Sequence, residues 1–180
     1  MPRAAIPLPE RPMRHHLHRL DAALAAVEER LAAALLGAAL CCLLAGAVAR
    51  TAGRPLLWGD ELAVLLMAIA AFFAASAAIA GGGHLTVDAL RKRLPLSLRR
   101  GVDALLALLI AGFLGCLWVW LDPVGLLRSG GGMALARETG NFTYTEPTMT
   151  LGVPKVWFWL PMVPATLGAL FHALMRVARC

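Results

Sequence analysis

Charged residues are scarce in this sequence, and four long stretches contain none apart from one histidine. Asp, Glu, Lys and Arg make up 16% of the chain, whereas apolar residues make up 59% and the mean hydropathy is +0.71. A soluble protein of 180 residues could bury one long apolar helix, but four would leave no amphipathic elements to cover them. The composition therefore excludes an ordinary soluble domain.

Paired cysteines and catalytic motifs are also missing. The four cysteines form no C-x-x-C motif, since Cys41, Cys42 and Cys116 lie inside apolar stretches and Cys180 is the last residue. This pattern argues against a thiol oxidase, and helix packing by small side chains explains it better. The sequence also has no phosphate-binding loop, no dinucleotide-binding glycine motif and no Ser/His/Asp set. We therefore expect a protein that is not an enzyme.

The histidines predict neither a metal site nor a haem site. A haem held by His84 and His172 would need the two rings at matching depth in the membrane. Their positions relative to the second and fourth apolar stretches place them roughly 10 Å apart in depth. We therefore expect no metal ion and no cofactor. A cofactor-bearing or anchor subunit of a respiratory membrane enzyme is the alternative function.

Four apolar stretches are long enough to cross a bilayer as helices. They predict spans at about residues 31–49, 61–80, 102–121 and 156–175. The second has nineteen uncharged residues from Leu62 to Ala80, which at roughly 1.5 Å each cover about 28 Å, close to the hydrocarbon thickness of a membrane. The sequence therefore predicts an all-α integral membrane protein with four transmembrane helices, in a single domain of residues 1–180.

The distribution of Lys and Arg predicts the orientation. Twelve of the 17 basic residues lie before the first span, between the second and third, or after the fourth, whereas five lie in the connections 50–60 and 122–155. Because cytoplasmic loops carry the excess of Lys and Arg, both termini are predicted to be cytoplasmic. The net charge of +6 then indicates contact with anionic lipid in a bilayer, and no nucleic acid partner.

Residues 1–30 precede the first span and carry a helical pattern of their own. Apolar residues recur there at spacings of three and four: Leu17, Leu20, Leu24, Val27 and Leu31. Charged residues between them would supply polar flanks: Arg19, Glu28, Glu29 and Arg30. Residues 47–49 resemble a signal-peptidase site, but a secretory signal usually has a much shorter start. We therefore expect a cytoplasmic tail and an amphipathic helix at the membrane interface.

Residues 122–155 form the long connection on the predicted outer side. Asp122-Pro123 ends the third span, and three consecutive glycines at 130–132 predict a flexible tip. Threonines and a tyrosine beyond residue 142 suggest short extended segments, interrupted by Pro147 and Pro154.

Short polar and aromatic motifs flank the second and fourth spans. The second opens with Trp58-x-x-Glu61 and is followed by His84-Leu85-Thr86-Val87-Asp88 and a basic stretch at 89–100. The fourth has a threonine-rich lead-in and contains Trp157-x-x-x-Pro161. Over about residues 30–175, these motifs and the four-span topology resemble the small membrane subunit of tripartite ATP-independent periplasmic (TRAP) transporters, the DctQ type.

The resemblance implies a secondary transporter of the bacterial inner membrane. A periplasmic binding protein of the DctP type would deliver an organic acid to a large membrane subunit of the DctM type, which couples uptake to the Na⁺ gradient. The small subunit would have no substrate site and would serve as a scaffold for the large one. The span centres agree, because they lack the midplane ionisable groups and broken helices of a substrate site.

The motif residues have two interpretations. The resemblance makes them candidate contacts with the large subunit: Trp58, Glu61, His84, Asp88, Trp157 and Pro161. Alternatively they stabilise their own chain, since a carboxylate is favoured at the positive end of a helix and tryptophan is favoured at the membrane interface.

Overall fold

Long antiparallel helices dominate the structure, a computed structural model that describes residues 12–81 and 95–179. The long helices are α1 (Pro12–Thr51), α2 (Leu57–Gly81), α3 (Leu96–Leu121) and α7 (Met162–Arg179). Three short helices lie between α3 and α7: α4 (Pro123–Ser129), α5 (Gly132–Thr139) and α6 (Val156–Trp159). We call the end that carries residues 50–60 and 122–155 the loop end. The opposite end, where α1 and α3 begin and α7 finishes, is the terminal end.

Four helical segments are long and apolar enough to cross a membrane. They are His16–Thr51, Leu57–Gly81, Leu96–Ser129 and Val156–Ala178. No strand occurs within the described residues, where the β-type pairing is one isolated bridge. The predicted all-α class with four membrane-spanning helices is therefore confirmed.

Helix α1 is a single helix of 40 residues, which at 1.5 Å per residue spans about 60 Å. Because this is about twice the hydrocarbon thickness, the helix continues well beyond one side of a membrane. Its predicted apolar stripe faces outward, with Leu20 and Val27 both more than half exposed. Within residues 16–31, the buried positions are Asp21 and Glu28. The prediction that Glu28 is a polar flank is therefore wrong, whereas the interfacial placement of this segment stays a prediction.

Helix α7 is the innermost of the long helices. In the most apolar part of the span that contains α7, 44% of the residues are buried. The corresponding fraction is 17% in the spans that contain α1 and α3. Helix α7 also contacts all three other long helices. Its small side chains let those neighbours approach closely: Ala165 packs with Ile69 and Phe73 of α2, and Ala173 packs with Ile79. The outer faces of α1 and α3 stay apolar and exposed, as expected of surfaces that meet lipid.

The fourth span is interrupted between α6 and α7. Pro161 and Pro164 have no backbone N–H, so the regular helical hydrogen bonds at these two positions cannot form. The carbonyl of Leu160 accepts instead from the N–H of Val163 at 3.1 Å. These prolines therefore explain why the span starts as a separate short helix.

The connection 122–155 differs from its predicted form. Asp122 adopts a left-handed conformation (φ 40°), and its N–H donates to the carbonyl of Trp118 at 3.0 Å to close α3. Its carboxylate then accepts from the N–H of Gly125 at 2.9 Å and caps α4. The glycines at 130–132 form the junction of α4 and α5, and the flexibility of this tip stays a prediction. The predicted extended segments are turns with one bridge, between Pro147 and Pro154.

Candidate functional site

Glu61 fastens the long connection to the start of α2. Its carboxylate accepts hydrogen bonds from the N–H groups of Met149 and Thr150, both at 2.7 Å, and from the Thr150 hydroxyl at 2.5 Å. The N–H of Leu151 lies 3.4 Å away. Bonds to an ionised carboxylate are about twice as strong as neutral ones. Glu61 therefore holds a segment almost 90 residues further along the chain.

The segment that Glu61 holds is a small loop closed by its own hydrogen bonds. The N–H of Thr148 donates to the carbonyl of Val153 at 2.8 Å, and the N–H of Val153 donates to the Thr148 hydroxyl at 3.1 Å. At the base of the loop, Lys155 pairs with Glu146 through its side chain at 2.5 Å. With both sides tied together, the N–H groups of the tip converge on one point, which the Glu61 carboxylate occupies.

Asp60 has a different role from its neighbour Glu61. Its carboxylate accepts two hydrogen bonds from Arg50 at the end of α1, at 2.7 and 2.8 Å, and both side chains are more than half exposed. Exposed pairs of this kind contribute about 0–1 kcal/mol. The pair joins α1 to α2, whereas the hydrogen bonds of the loop around Thr150 go to Glu61.

The predicted aromatic and proline positions are brought to the same end of the bundle. Trp58 lies in the first turn of α2 and is 43% exposed, and Trp157 in α6 is 66% exposed. Pro161 lies between α6 and α7. Met149, on the loop that Glu61 holds, is 91% exposed. The loop end therefore presents several large apolar side chains that the described residues leave exposed.

Residues 141–144 fasten the rest of the connection to the end of α3. Asn141 donates from its side-chain amide to the carbonyl of Trp120 at 3.0 Å, and the Tyr144 hydroxyl donates to the carbonyl of Leu121 at 2.7 Å. Burial and the nearby Asp122 carboxylate raise the pKa of Tyr144. The tyrosine therefore stays a neutral donor over the whole physiological range.

A second group of polar side chains lies at the terminal end. His172 on α7 is fully buried between two carboxylates of α1: its Nδ1 lies 2.6 Å from Asp21 and its Nε2 lies 3.2 Å from Glu28. Both ring nitrogens therefore face carboxylates, and neither is open as a haem ligand. Among the described residues, no group of three or more His, Cys, Asp or Glu side chains has the arrangement of a metal site.

Helices α2 and α3 add further polar groups at this end. Arg176, one turn beyond His172 on α7, donates to the carbonyl of Ile79 at 3.1 Å and lies 3.8 Å from the buried Asp103 of α3. The hydroxyl of Ser76 on α2 is fully buried and has no hydrogen-bond partner within the described residues. Polar groups of α1, α2 and α3 therefore meet α7 within about two turns, and those of α1 and α3 are charged side chains.

The comparison with protein families decides the identity. Residues 39–180 match the sequence model of the tripartite ATP-independent periplasmic transporters, DctQ component. The match covers well over half of the chain. The chain belongs to the DctQ family. Neither the comparison with curated proteins nor that with solved structures gave a match.

The two polar groups of this DctQ component differ in their relation to the family match. Glu61 and the loop that it holds lie inside residues 39–180, as do Trp157, Pro161 and His172. Asp21 and Glu28 precede the matched region. The predicted positions His84 and Asp88, and the first half of the basic stretch 89–100, lie outside the residues that the structure describes.

Several important contacts of this DctQ component were missed from the sequence. The hydrogen bonds of Glu61 to residues 149–151 have no local signal, because they join distant parts of the chain. Asp21 and Asp103 are single acidic residues that lie roughly two turns inside their helices, and nothing near them in the sequence marks them as buried. One signal could have been used: Glu28 is seven residues after Asp21, so a helix turns both to the same face.

Proposed function

We propose that this DctQ component is the scaffolding subunit of a TRAP transporter that takes up an organic acid in a Na⁺-dependent manner. A large membrane subunit of the DctM type carries the substrate, and a periplasmic binding protein of the DctP type delivers it. The observation that carries this proposal is the family match over residues 39–180. The chain itself supports a passive role, because the charged side chains that its described part buries contact each other or the backbone near one end of the bundle, and Glu61 binds backbone N–H groups at the other.

The orientation belongs to the proposal. With both termini in the cytoplasm, the basic segments face the side expected from the excess of Lys and Arg. The loop end then faces the periplasm, where the binding protein docks on the transporter. The loop that carries Met149 is held in one conformation by Glu61, so it can contribute a defined surface there without folding on contact.

An outward groove between α1 and α2 is our proposed contact with the large subunit. It has a volume of ≈ 600 Å³ and is lined mostly by alanines, among them Ala33, Ala71, Ala74 and Ala78. Small side chains let helices of membrane proteins approach closely, whereas lipid-facing surfaces favour large apolar residues. The outer face of α3 carries large apolar residues, with Leu108 and Val119 both more than two thirds exposed. We therefore assign the groove to a partner helix and the outer face of α3 to lipid.

The family relationship also supports contacts through the exposed tryptophans. Trp58 and Trp157 lie at the same end as the loop, and tryptophan is enriched among the residues that dominate interface energies. The alternative, an anchor subunit of a respiratory enzyme, has no specific observation in its favour, since both nitrogens of His172 contact carboxylates.

The proposal is tested by co-purification from the native membrane. An affinity tag on this chain should recover the large subunit in a stoichiometric complex after gentle solubilisation in detergent. The same tag on an unrelated four-helix membrane protein is the control. Recovery of a haem or flavin enzyme in place of the large permease would overturn the proposal.

A further inference from the structure

The first part of α1 is attached to the bundle in an unusual way. An amphipathic helix normally docks through its apolar stripe. Here that stripe faces outward, and the buried residues of 16–31 are two carboxylates, Asp21 and Glu28. Both contact His172 on α7, and the three side chains are 6%, 3% and 0% exposed. Among the described residues, the buried side-chain contact of this segment with α7 therefore consists of one imidazole between two acids.

Proton counting shows what this contact requires. An ionised carboxylate can only accept hydrogen bonds, and a neutral imidazole has one N–H to donate. With both acids ionised and the ring neutral, one ring nitrogen would face a carboxylate through its lone pair, at the 2.6 or 3.2 Å seen here. The N–H of the neutral ring supplies one proton for the two contacts. Both contacts become hydrogen bonds only when the three side chains share one proton more. It resides on the ring as imidazolium or on one carboxyl group.

We propose that Asp21, His172 and Glu28 form a buried proton-binding site that fastens the start of α1 to α7. The ligand is one proton, taken up from water without any redox step. When the proton leaves, a lone pair faces an acceptor in a site that water hardly reaches, a contact that is unfavourable in surroundings of low polarity. Loss of the proton therefore loosens the start of α1, whose buried side chains within the described residues 16–31 are these two carboxylates.

The neighbouring helices supply groups that tune the site. On α2, the unpartnered hydroxyl of Ser76 and the carboxylate of Glu28 both lie within 3.0 Å of the point where a Cβ on Gly168 would stand. Ser76 therefore lies beside Glu28 without a hydrogen bond to it. Arg176 on α7 and Asp103 on α3 lie 3.8 Å apart, so the positive charge of the arginine and the negative charge of the aspartate partly cancel.

Exposed titratable side chains on α1 complete the surroundings. They are His16, His18, Arg19, Glu29 and Arg30, all exposed on the helix. Asp21, Asp103 and Arg176 each make a further interaction besides those described above, so His172 is not the only partner of Asp21. Glu29 directly follows Glu28 but faces the groove between α1 and α2, which makes it a matched control residue.

The first test reads the protonation state directly. In the full chain in lipid nanodiscs, with His15, His16, His18 and His84 replaced by Gln, ¹⁵N NMR reports His172 alone. We expect an imidazolium, or a neutral ring whose lone-pair nitrogen accepts from a carboxylic acid, at about pH 6, and loss of that state by about pH 9. A ring that keeps the same signals over this whole range would contradict the proposal.

The second test reads the attachment of α1. Spin labels at the exposed positions Leu20 and Leu174 of the full chain, with its native cysteines replaced, report the distance between α1 and α7. At about pH 6 we expect one narrow distance distribution, and at about pH 9 a second, longer population. An unchanged narrow distribution at both values would refute a protonation-dependent attachment.

A substitution separates proton binding from simple packing. In Glu28→Gln the amide can accept from a protonated ring or donate to a neutral one, so both contacts are satisfied without the second proton. We expect its distance distribution to stay narrow at both pH values. Glu29→Gln should respond to pH as the native chain does. If Glu28→Gln kept the native pH response, the proposal would be wrong, and the ring signals of the native His172 decide the question if this variant does not fold.

Discussion

Glu61 receives two hydrogen bonds from Thr150, one from the backbone N–H at 2.7 Å and one from the hydroxyl at 2.5 Å. The two residues are 89 positions apart in the sequence and join the start of α2 to the tip of the long connection. Through this contact Glu61, a motif residue of the second span, holds the loop around Thr150 in place. It also explains why a carboxylate at the membrane surface can be structural and need not bind a ligand.

The first prediction concerns this anchor. In Glu61→Gln one acceptor oxygen becomes an NH₂ group, which would face the N–H groups of residues 149–151 and repel them. We expect amide hydrogen exchange at these three positions to become at least severalfold faster, while exchange in the centre of α2 is unchanged.

Asp60→Asn is the matched control for this prediction. Asp60 pairs with Arg50, whereas the hydrogen bonds of the loop go to Glu61, so exchange at residues 149–151 should keep its native rate. Equal acceleration in both variants would mean that the loop responds to the local charge and not to the hydrogen bonds of Glu61.

The second prediction concerns Gly168, where α7 passes close to Glu28. A Cβ at this position would collide with the Glu28 carboxylate and approach the Ser76 hydroxyl to 3.0 Å. Gly168→Ala should therefore destabilise the chain by about 1–3 kcal/mol, the usual cost of overpacking. Thermal unfolding in detergent should show a lower midpoint, by roughly 2–4 °C for each kcal/mol.

Gly115→Ala on α3 is the control for the glycine experiment. Its added Cβ would have no neighbour within 4 Å, so the midpoint should stay the same or rise slightly, since alanine favours a helix by up to about 1 kcal/mol over glycine. A Gly168→Ala variant as stable as Gly115→Ala would contradict the close packing of α1 on α7.

The four spans and the family motifs were predictable because their signals are local. The length of an uninterrupted apolar stretch can be counted directly from the sequence, and the motif Trp58-x-x-Glu61 lies within four consecutive residues. The partners of Glu61 and His172 were not predictable, because each contact joins residues that are far apart in sequence and depends on how the helices pack. Glu28 illustrates this: its charge suggests solvent, but the rotation of a 40-residue helix turns it inward.

The short helices of the connection were missed although their start signal is present. Asp122 followed by Pro123 is a capping residue with proline in the first turn, a common helix start. The three glycines at 130–132 predict a flexible tip, but the pattern gives no sign that they end one helix and begin the next. The Asp122 cap also explains why residue 125 is glycine, because a Cβ there would occupy the place of the Asp122 carboxylate.

The third prediction concerns orientation. Met133→Cys lies at the loop end and Leu98→Cys lies near the start of α3, and both native side chains are more than half exposed. In a background without native cysteines, a membrane-impermeant maleimide applied to intact cells should label position 133 and not position 98. Position 98 should react after permeabilisation. The reverse pattern in intact cells would invert the proposed topology.

The fourth prediction concerns the groove between α1 and α2. Ala71 lines it and is exposed, so Ala71→Trp should fill the groove while leaving the isolated chain folded. We expect a large loss of the co-purified large subunit, because the close approach of a partner helix depends on small side chains.

The matched control places the same substitution on α3. Ala111 is also exposed in the middle of a long helix, on the surface that we assign to lipid. Ala111→Trp should leave recovery of the large subunit near the native level. If Ala111→Trp abolished recovery and Ala71→Trp did not, the large subunit would bind α3.

Uptake by reconstituted liposomes tests the central claim most directly. Purified chain, large subunit and binding protein are combined, and labelled dicarboxylates, keto acids, sugar acids and sialic acid are offered with an inward Na⁺ gradient or an equal K⁺ gradient. We predict Na⁺-dependent uptake of one substrate class by the complete system. We predict none by this chain alone and strongly reduced uptake when the chain is omitted. Specific uptake by this chain alone, or full uptake without it, would contradict its role as a scaffold.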